Sequence, residues 1–598
     1  MKNLIYHITR NFTRQQQPLM WFLMIMTVFT GLSCTPLPPK PPALPFQISL
    51  LAFNDFHGNL EPPQLSVRET VNQIPTLVPA GGIAYMASAI AQLKSQNPHH
   101  AVVSAGDMIG ASPLISALFL DEPTIEAINA IGIDFNAVGN HEFDKGVSEL
   151  ERMRFGGCTQ FTPLKPCLIN DKFPGAQFEF LAANVKKENG QTLFPAYGIK
   201  VFKQGDQEVK VGFVGMTLKG TPQIVTPAGV KGVRFESEAQ TANALVPLLK
   251  AQGVAALVLV MHEGGTVKGG PNDPTCPGLT GDIIPILNQL DPAFDVVVSG
   301  HTHRAYACDY SQFNPAKPFL LTSAGQYGTL LTHIELQVDA LQRKVTHKKA
   351  HNLIIQSEAY TNSAGVRVAT TPLLPQFTPH PVVEKIVAHY KQASKTQAMR
   401  VVSRLPQSIT RETTPSGENP LGNLIADAQW FATAAPDKGH ADFALMNPGG
   451  VRADVLLPAG GGPVSYGQLF SVQPFGNTLV VKSFTGQQVK DILEFQFAQE
   501  SRPRVLFPSA QLRYSVDLKL PPGERISDIQ IKGLPLQINK VYRVTMNSFL
   551  STGGDGFALF NLGTDSLGAD LDVDALVDYL SQHPGIEPAS TNRIQRKF

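Results

Sequence analysis

Charge imbalance is missing from this sequence. Over 598 residues, Lys and Arg number 49 and Asp and Glu 48, giving a formal net charge of +1. A chain this balanced shows no footprint for a nucleic-acid polymer or a strongly acidic partner, although a local site for a small charged substrate stays open. Cysteine is scarce, at five residues, and the C-x-x-C pairs of structural zinc modules are absent. No tandem repeat is evident, which sets aside repeat architectures. The apolar run Leu19–Leu32 is too short for a membrane span. What is present is ordinary for a folded chain, 43% hydrophobic and 16% charged. The length exceeds one core and predicts two to four domains.

Lys2, Arg10 and Arg14 precede the Leu19–Leu32 run, so residues 1–34 read as a signal peptide. The run closes in Thr30-Gly31-Leu32-Ser33-Cys34, which is similar to the lipobox of bacterial lipoproteins except that Gly31 stands where Leu is usual. Cys34 is therefore the expected lipidation site. The expected location is an exported, membrane-anchored protein facing the periplasm or cell exterior. An ordinary signal peptide, or an anchor helix with an incidental cysteine, is the alternative. The Pro-rich residues 35–45 read as a spacer. Cys158, Cys167, Cys276 and Cys308 remain, and an even number in an exported chain points to two disulfides. Their order favours Cys158–Cys167 and Cys276–Cys308; three pairings are possible, and a zinc site is the rival.

Residues 46–360 alternate short apolar runs with helical patterns, an α/β reading. Residues 361–400 read as a linker and bridging helix. In that helix Val382, Ile386 and Tyr390 form a stripe with Val383 and Val387 beside it. Residues 401–598 form a second α/β unit. In the first unit five apolar runs each end in a block of metal-ligand residue types. Ile48–Phe53 runs into Asn54-Asp55-Phe56-His57-Gly58, and Ala101–Ala105 into Gly106-Asp107. Phe135–Val138 runs into Gly139-Asn140-His141-Glu142-Phe143-Asp144. Val254–Met261 runs into His262-Glu263-Gly264, and Val296–Val298 into Ser299-Gly300-His301-Thr302-His303. Strand ends are where open α/β sheets gather their sites, and five ends side by side would bring these groups together. Mixed His and carboxylate donors suit Mn, Zn, Co or a similar ion better than Ca. Any one block alone is more often a turn or a satisfied polar group.

Taken in order, these blocks resemble the calcineurin-like metallophosphoesterase signature. With the second unit, the chain is similar to the 5′-nucleotidase / UDP-sugar hydrolase family over about residues 46–595. The resemblance implies a four-layer α/β/β/α sandwich joined by a helix to a C-terminal α/β nucleotide-binding domain. It implies two divalent transition-metal ions. Asp55, His57 and His303 would hold one, Asn140, His262 and His301 the other, and Asp107 would bridge them. His141, paired with Asp144, would act as a catalytic dyad at the leaving group. The implied reaction is release of phosphate from nucleoside 5′-monophosphates by a metal-activated water. The alternatives are a 2′,3′-cyclic-nucleotide phosphodiesterase, a UDP-sugar hydrolase or a sulfur-ester hydrolase on the same fold, or a nucleotide-binding surface lipoprotein without catalysis.

In the second unit the resemblance points to Asn447 and Arg452 in Asn447-Pro448-Gly449-Gly450-Val451-Arg452, and to Phe475 in Val472-Gln473-Pro474-Phe475-Gly476-Asn477. It also points to Phe549 and to Asp555 in Gly553-Gly554-Asp555-Gly556. The two Phe would stack on a base, and the others would contact sugar or phosphate. Relatives carry an Arg just before Gly422-Asn423-Leu424, where this chain reads Ser416-Gly417-Glu418; Arg411 lies further upstream. Metal ligands on one unit and base-binding groups on the other imply domain closure about the bridging helix.

Overall fold

The computed structural model describes residues 45–598, apart from 72–73, 163, 226, 363–365, 499–503 and 598. The expected signal segment, Cys34 and nearly all of the Pro-rich spacer lie outside the described residues. No helix among the described residues is long and apolar enough to cross a membrane.

Two six-stranded sheets form the centre of the first half. One has the order Lys344–Ile354, Leu330–Asp339, Phe46–Phe53, His100–Ser104, Phe135–Ala137, Glu179–Leu181. The other has the order Ala305–Asp309, Leu320–Ala324, Val296–Ser299, Val254–Met261, Gln207–Met216, Tyr197–Gln204. Side chains alternate across a strand. Ile48, Leu50 and Ala52 therefore enter a core shared with Val258, Val260 and Val298 of the facing sheet. Leu51 and Phe53 point the other way, into a core with helices Ile83–Gln96 and Glu122–Ile131. Helices Glu238–Ala251 and Ile283–Gln289 cover the second sheet through Val246, Leu249, Ile283 and Leu287. The result is the expected α/β/β/α sandwich. Val254–Met261, central in the second sheet, is apolar throughout because both its faces are buried.

The second half holds a five-stranded sheet with Phe443–Met446, Val541–Asn547 and Thr478–Thr485 at its centre, and a four-stranded sheet around Leu512–Asp517. Helices Pro420–Thr433 and Asp572–Gln582 share a core through Leu421, Leu424, Leu576 and Leu580. Helix Pro381–Ala398 joins the halves. Its buried face is Val383, Tyr390 and Ser394, while Val382 is 54% exposed. Of the apolar stripe read from the spacing, Val383 and Tyr390 are buried, Ile386 and Val387 pack partly buried against the core, and only Val382 faces out. Tyr390 donates to Glu126 Oε2 (2.9 Å) and accepts from Asn170 Nδ2 (3.0 Å), pinning the helix to the first half. Just past its C-terminal end, the Tyr466 amide donates to the Arg400 carbonyl at 2.8 Å.

The cysteines pair as Cys158–Cys167 and Cys276–Cys308, with Cα separations of 5.7 and 5.6 Å. The first closes a loop beside a buried charge cluster. Arg152 donates to both Glu149 oxygens (2.7 and 3.0 Å) and to Glu122 Oε1 (2.7 Å), which also accepts from the Cys167 amide. Removing the guanidinium leaves two buried carboxylates unpaired. Arg152→Met is expected to cost about 3–5 kcal/mol, read as a lower urea midpoint. An unchanged midpoint would show the cluster to be energetically neutral.

Candidate metal centre

Five strand ends build the site, brought together from both sheets of the sandwich. Phe46–Phe53, His100–Ser104 and Phe135–Ala137 run parallel in one sheet, and Val254–Met261 runs parallel to Val296–Ser299 in the other. The site therefore sits across the end of the sandwich, with three ends contributed by one sheet and two by the other.

The chain leaves each strand through strained turns. Asp55, His57, Asp107, His301 and His303 all have left-handed φ, between 48° and 69°. Such backbone persists only where its surroundings over-determine it. Two glycines permit the approach. A Cβ on Gly106 would lie 2.7 Å from His262 Nδ1, and one on Gly139 would lie 2.2 Å from Asp107 Oδ1.

The ligand-type atoms converge in two groups. Asp55, His57 and His303 lie within 4.8 Å of one another, as do Asp107, His262 and His301. Asn140 Oδ1 joins the second group, 3.1 Å from His262 Nε2 and 3.0 Å from His301 Nδ1. Asp107 Oδ2 stands between the groups, 2.9 Å from His262 Nε2 and 3.7 Å from His57 Nε2. His57 Nε2 and His303 Nε2 are 3.1 Å apart. Two nitrogens bonded to one tetrahedral zinc would be about 3.3 Å apart.

The surroundings fit a cation. His57 Nδ1–H donates to the Gly110 carbonyl (2.9 Å) and His262 Nδ1–H to the Ala105 carbonyl (2.7 Å), so each Nε2 is turned inward. That is how a metal-binding imidazole is usually oriented. Burial holds the His57 imidazole well below its ordinary range. Burial and then the charge of His262 push His301 down to about 3. Burial also opposes a charge on His262, but the Asp107 carboxylate outweighs it and holds this group up at about 10. A cation taking that Nε2 lone pair would displace the proton. Asp107 itself is lowered well below the carboxylate range: burial works against this, and the neighbouring His262 and His141 prevail.

His141 follows Asn140 on a short turn. Its ring also comes within 4.8 Å of the ligand atoms of His57 and Asp107. What distinguishes it is Asp144, whose Oδ2 accepts from Nδ1 at 2.9 Å. Burial disfavours the imidazolium, but Asp144 and Asp107 raise it above the usual value. Two groups escaped the sequence reading. Glu142 is buried and accepts from the amides of Asp107 (3.0 Å), Met108 (2.9 Å) and Gly139 (2.7 Å), tying the loops that carry Asp107 and Asn140 together. Asn54 donates to Asp55 Oδ2 at 2.6 Å and accepts from the Ala324 amide at 2.7 Å. Both stand in the quoted blocks, but nothing in their spacing tells a ligand from a brace.

The second half reaches this centre. Phe475 stacks on His141, ring centroids 5.5 Å apart at 18°. The Arg452 guanidinium lies 5.7 Å from the Phe475 centroid. Asn447, Asp555 and Phe549 gather nearby in the same half. Asn447 Nδ2 donates to Asp555 Oδ2 at 2.9 Å, and the Phe549 ring lies against Gly554. Arg504, also unforeseen, donates to the Asp555 carbonyl. Arg411 is engaged by Asp454 (3.1 Å) and the Val451 carbonyl (3.2 Å), one residue before Arg452.

Comparison with known proteins agrees with this architecture. Residues 48–305 match the model of the calcineurin-like phosphoesterase family, and residues 392–562 that of the 5′-nucleotidase C-terminal domain. The chain is 27% identical to endonuclease YhcR of Bacillus subtilis over 89% of its own length, but spans only 39% of YhcR. It is 25% identical to a 5′-nucleotidase of Bos taurus, covering 93% of this chain and 92% of that one. The structure of a 5′-nucleotidase precursor from Thermus thermophilus superposes with a TM-score of 0.70 at 24% identity, covering 92% of this chain and 99% of that one. The chain belongs to the family that joins a calcineurin-like phosphoesterase domain to a 5′-nucleotidase C-terminal domain, a family of metal-dependent phosphoric ester hydrolases.

Proposed function

We propose that this protein is an exported phosphohydrolase that releases phosphate from nucleoside 5′-monophosphates at two divalent ions. The observation that carries this reading is the placement of Asp107 between two ligand groups, with the His141–Asp144 pair beside it. Asp55, His57 and His303 would hold one ion, Asn140, His262 and His301 the other, and Asp107 both; Mn, Zn and Co suit this donor set. When bound, such a pair clamps the oxygens of an in-line displacement and makes a nucleophile available from water near neutral pH. The chain does the rest. His141, with its raised affinity for a proton, stabilises or protonates the departing ester oxygen, and Asp144 fixes its tautomer and orientation. Arg452 supplies a permanent charge and a fork of donors for a phosphate. Phe475 and Phe549 offer faces for a base, and Asn447 and Asp555 offer polar groups for a sugar.

The halves would open and close about helix Pro381–Ala398, and base binding would exchange the Phe475–His141 stack for a Phe475–base stack. Export is supported by the N-terminal pattern ending in Cys34, which would carry the lipid anchor, and by two disulfides. The engagement of Arg411 by Asp454 leaves the phosphate side lighter in charge than the resemblance implies. 2′,3′-cyclic nucleotides and UDP-sugars therefore belong in the same substrate panel.

The test is phosphate release by the purified protein from AMP, UMP, UDP-glucose, 2′,3′-cyclic AMP and p-nitrophenyl phosphate, with Mn, Zn or Co and with EDTA. Release from AMP or UMP that EDTA stops is expected; no release from folded, metal-loaded protein would sink the reading. His141→Ala is expected to keep both metals and to lose roughly 10²–10⁴-fold in turnover. Collapse of metal content instead would make His141 a ligand. Glu142→Ala is expected to free three loop amides and weaken metal retention by roughly 10–100-fold on dialysis. Unchanged retention would reduce Glu142 to a packing role.

A further inference from the structure

A second cluster of donors stands on the outer face of the first sheet, away from the paired centre. His333 lies directly opposite His351 across the antiparallel pair Leu330–Asp339 and Lys344–Ile354. Glu335 is two residues along the strand and so on the same face. Ligand atoms of all three lie within 4.8 Å of one another. The two rings meet edge to face, centroids 5.3 Å apart at 67°. We propose that His333, Glu335 and His351 form a third metal site, taking a zinc-class divalent cation.

The chemistry of the donors fits. Two imidazoles and one carboxylate suit Zn, Ni or Cu rather than Ca or Mg, and three protein ligands leave a position for water. The exposure of His351 places that position toward solvent. Burial lowers the proton affinity of both imidazoles, so each is neutral and keeps a lone pair at pH 7. Ser49 Oγ meets His333 Nε2 at 2.8 Å, which holds the ring and leaves its other nitrogen available. The site is separate from the paired centre. His333 pairs with Leu51, four residues before Asp55, ~13 Å along a strand, several times a metal–ligand bond. Lys344–Ile354 is the edge strand of its sheet, so an ion here would tie that edge to its neighbour.

One group opposes binding. The Lys349 ammonium is 2.9 Å from Glu335 Oε1 and must yield to an incoming ion. Lys349 is 59% exposed at its side chain and can swing away. The opposition makes the site testable in both directions.

The experiment is equilibrium dialysis of the purified protein against zinc, with bound metal counted by mass spectrometry. One zinc beyond the paired centre is expected. His351→Ala and His333→Ala should each weaken that ion by roughly tenfold or more, with phosphate release unchanged. Lys349→Ala should tighten it several-fold. Comparing wild type with His351→Ala isolates this ion whatever the paired centre holds, so failure here is distinct from failure of the proposed function. Equal zinc content and affinity in wild type, His351→Ala and Lys349→Ala would overturn the proposal.

Discussion

A fully buried carboxylate needs a positive partner, and around Asp107 the structure is arranged to supply one. Burying a charge without a partner costs far more than one hydrogen bond returns. Asp107 Oδ1 accepts from the His141 amide at 2.9 Å, and Oδ2 faces His262. Its loop can reach that place only because Gly106 and Gly139 carry no side chain to collide there. Glu142 then holds the two loops by their amides, and buried imidazoles close the remaining sides. The left-handed backbone at Asp55, His57, Asp107, His301 and His303 is the local cost of this convergence. The apolar cores on the two faces of the first sheet hold it in place.

The second half brings different side chains to this centre. The strand ends concentrate carboxylates and imidazoles, which suit cations, and the five blocks themselves hold neither Lys nor Arg. Arg452 supplies a guanidinium from a separate domain, beside an aromatic ring that already touches His141. The Pro381–Ala398 helix links the halves, held to the first by Tyr390 through Glu126 and Asn170 and followed by Arg400, whose carbonyl accepts from the Tyr466 amide.

Much of this was legible in the sequence, because strand-end blocks are local signals. An apolar run followed by Asp-x-His, or by Gly-Asn-His-Glu, states both the strand and the group it carries. The cysteine order likewise favoured the disulfides that form. Non-local register was not legible. The division of five ends between two sheets depends on crossovers that no short motif encodes. The bracing role of Glu142 depends on the Asp107 and Met108 amides, more than thirty residues away, and the facing of His333 and His351 depends on a strand pairing. The stripe read for the bridging helix included Val382, which is exposed, because Val382 and Val383 are equally apolar and only the packing partner chooses between them.

The central claim is that Asp107 joins two cations within one site. Electron paramagnetic resonance of the protein loaded with Mn tests this directly. An exchange-coupled manganese pair, lost in Asp107→Asn, is the predicted result. Spectra of isolated ions alone, the same in wild type and Asp107→Asn, would contradict the account.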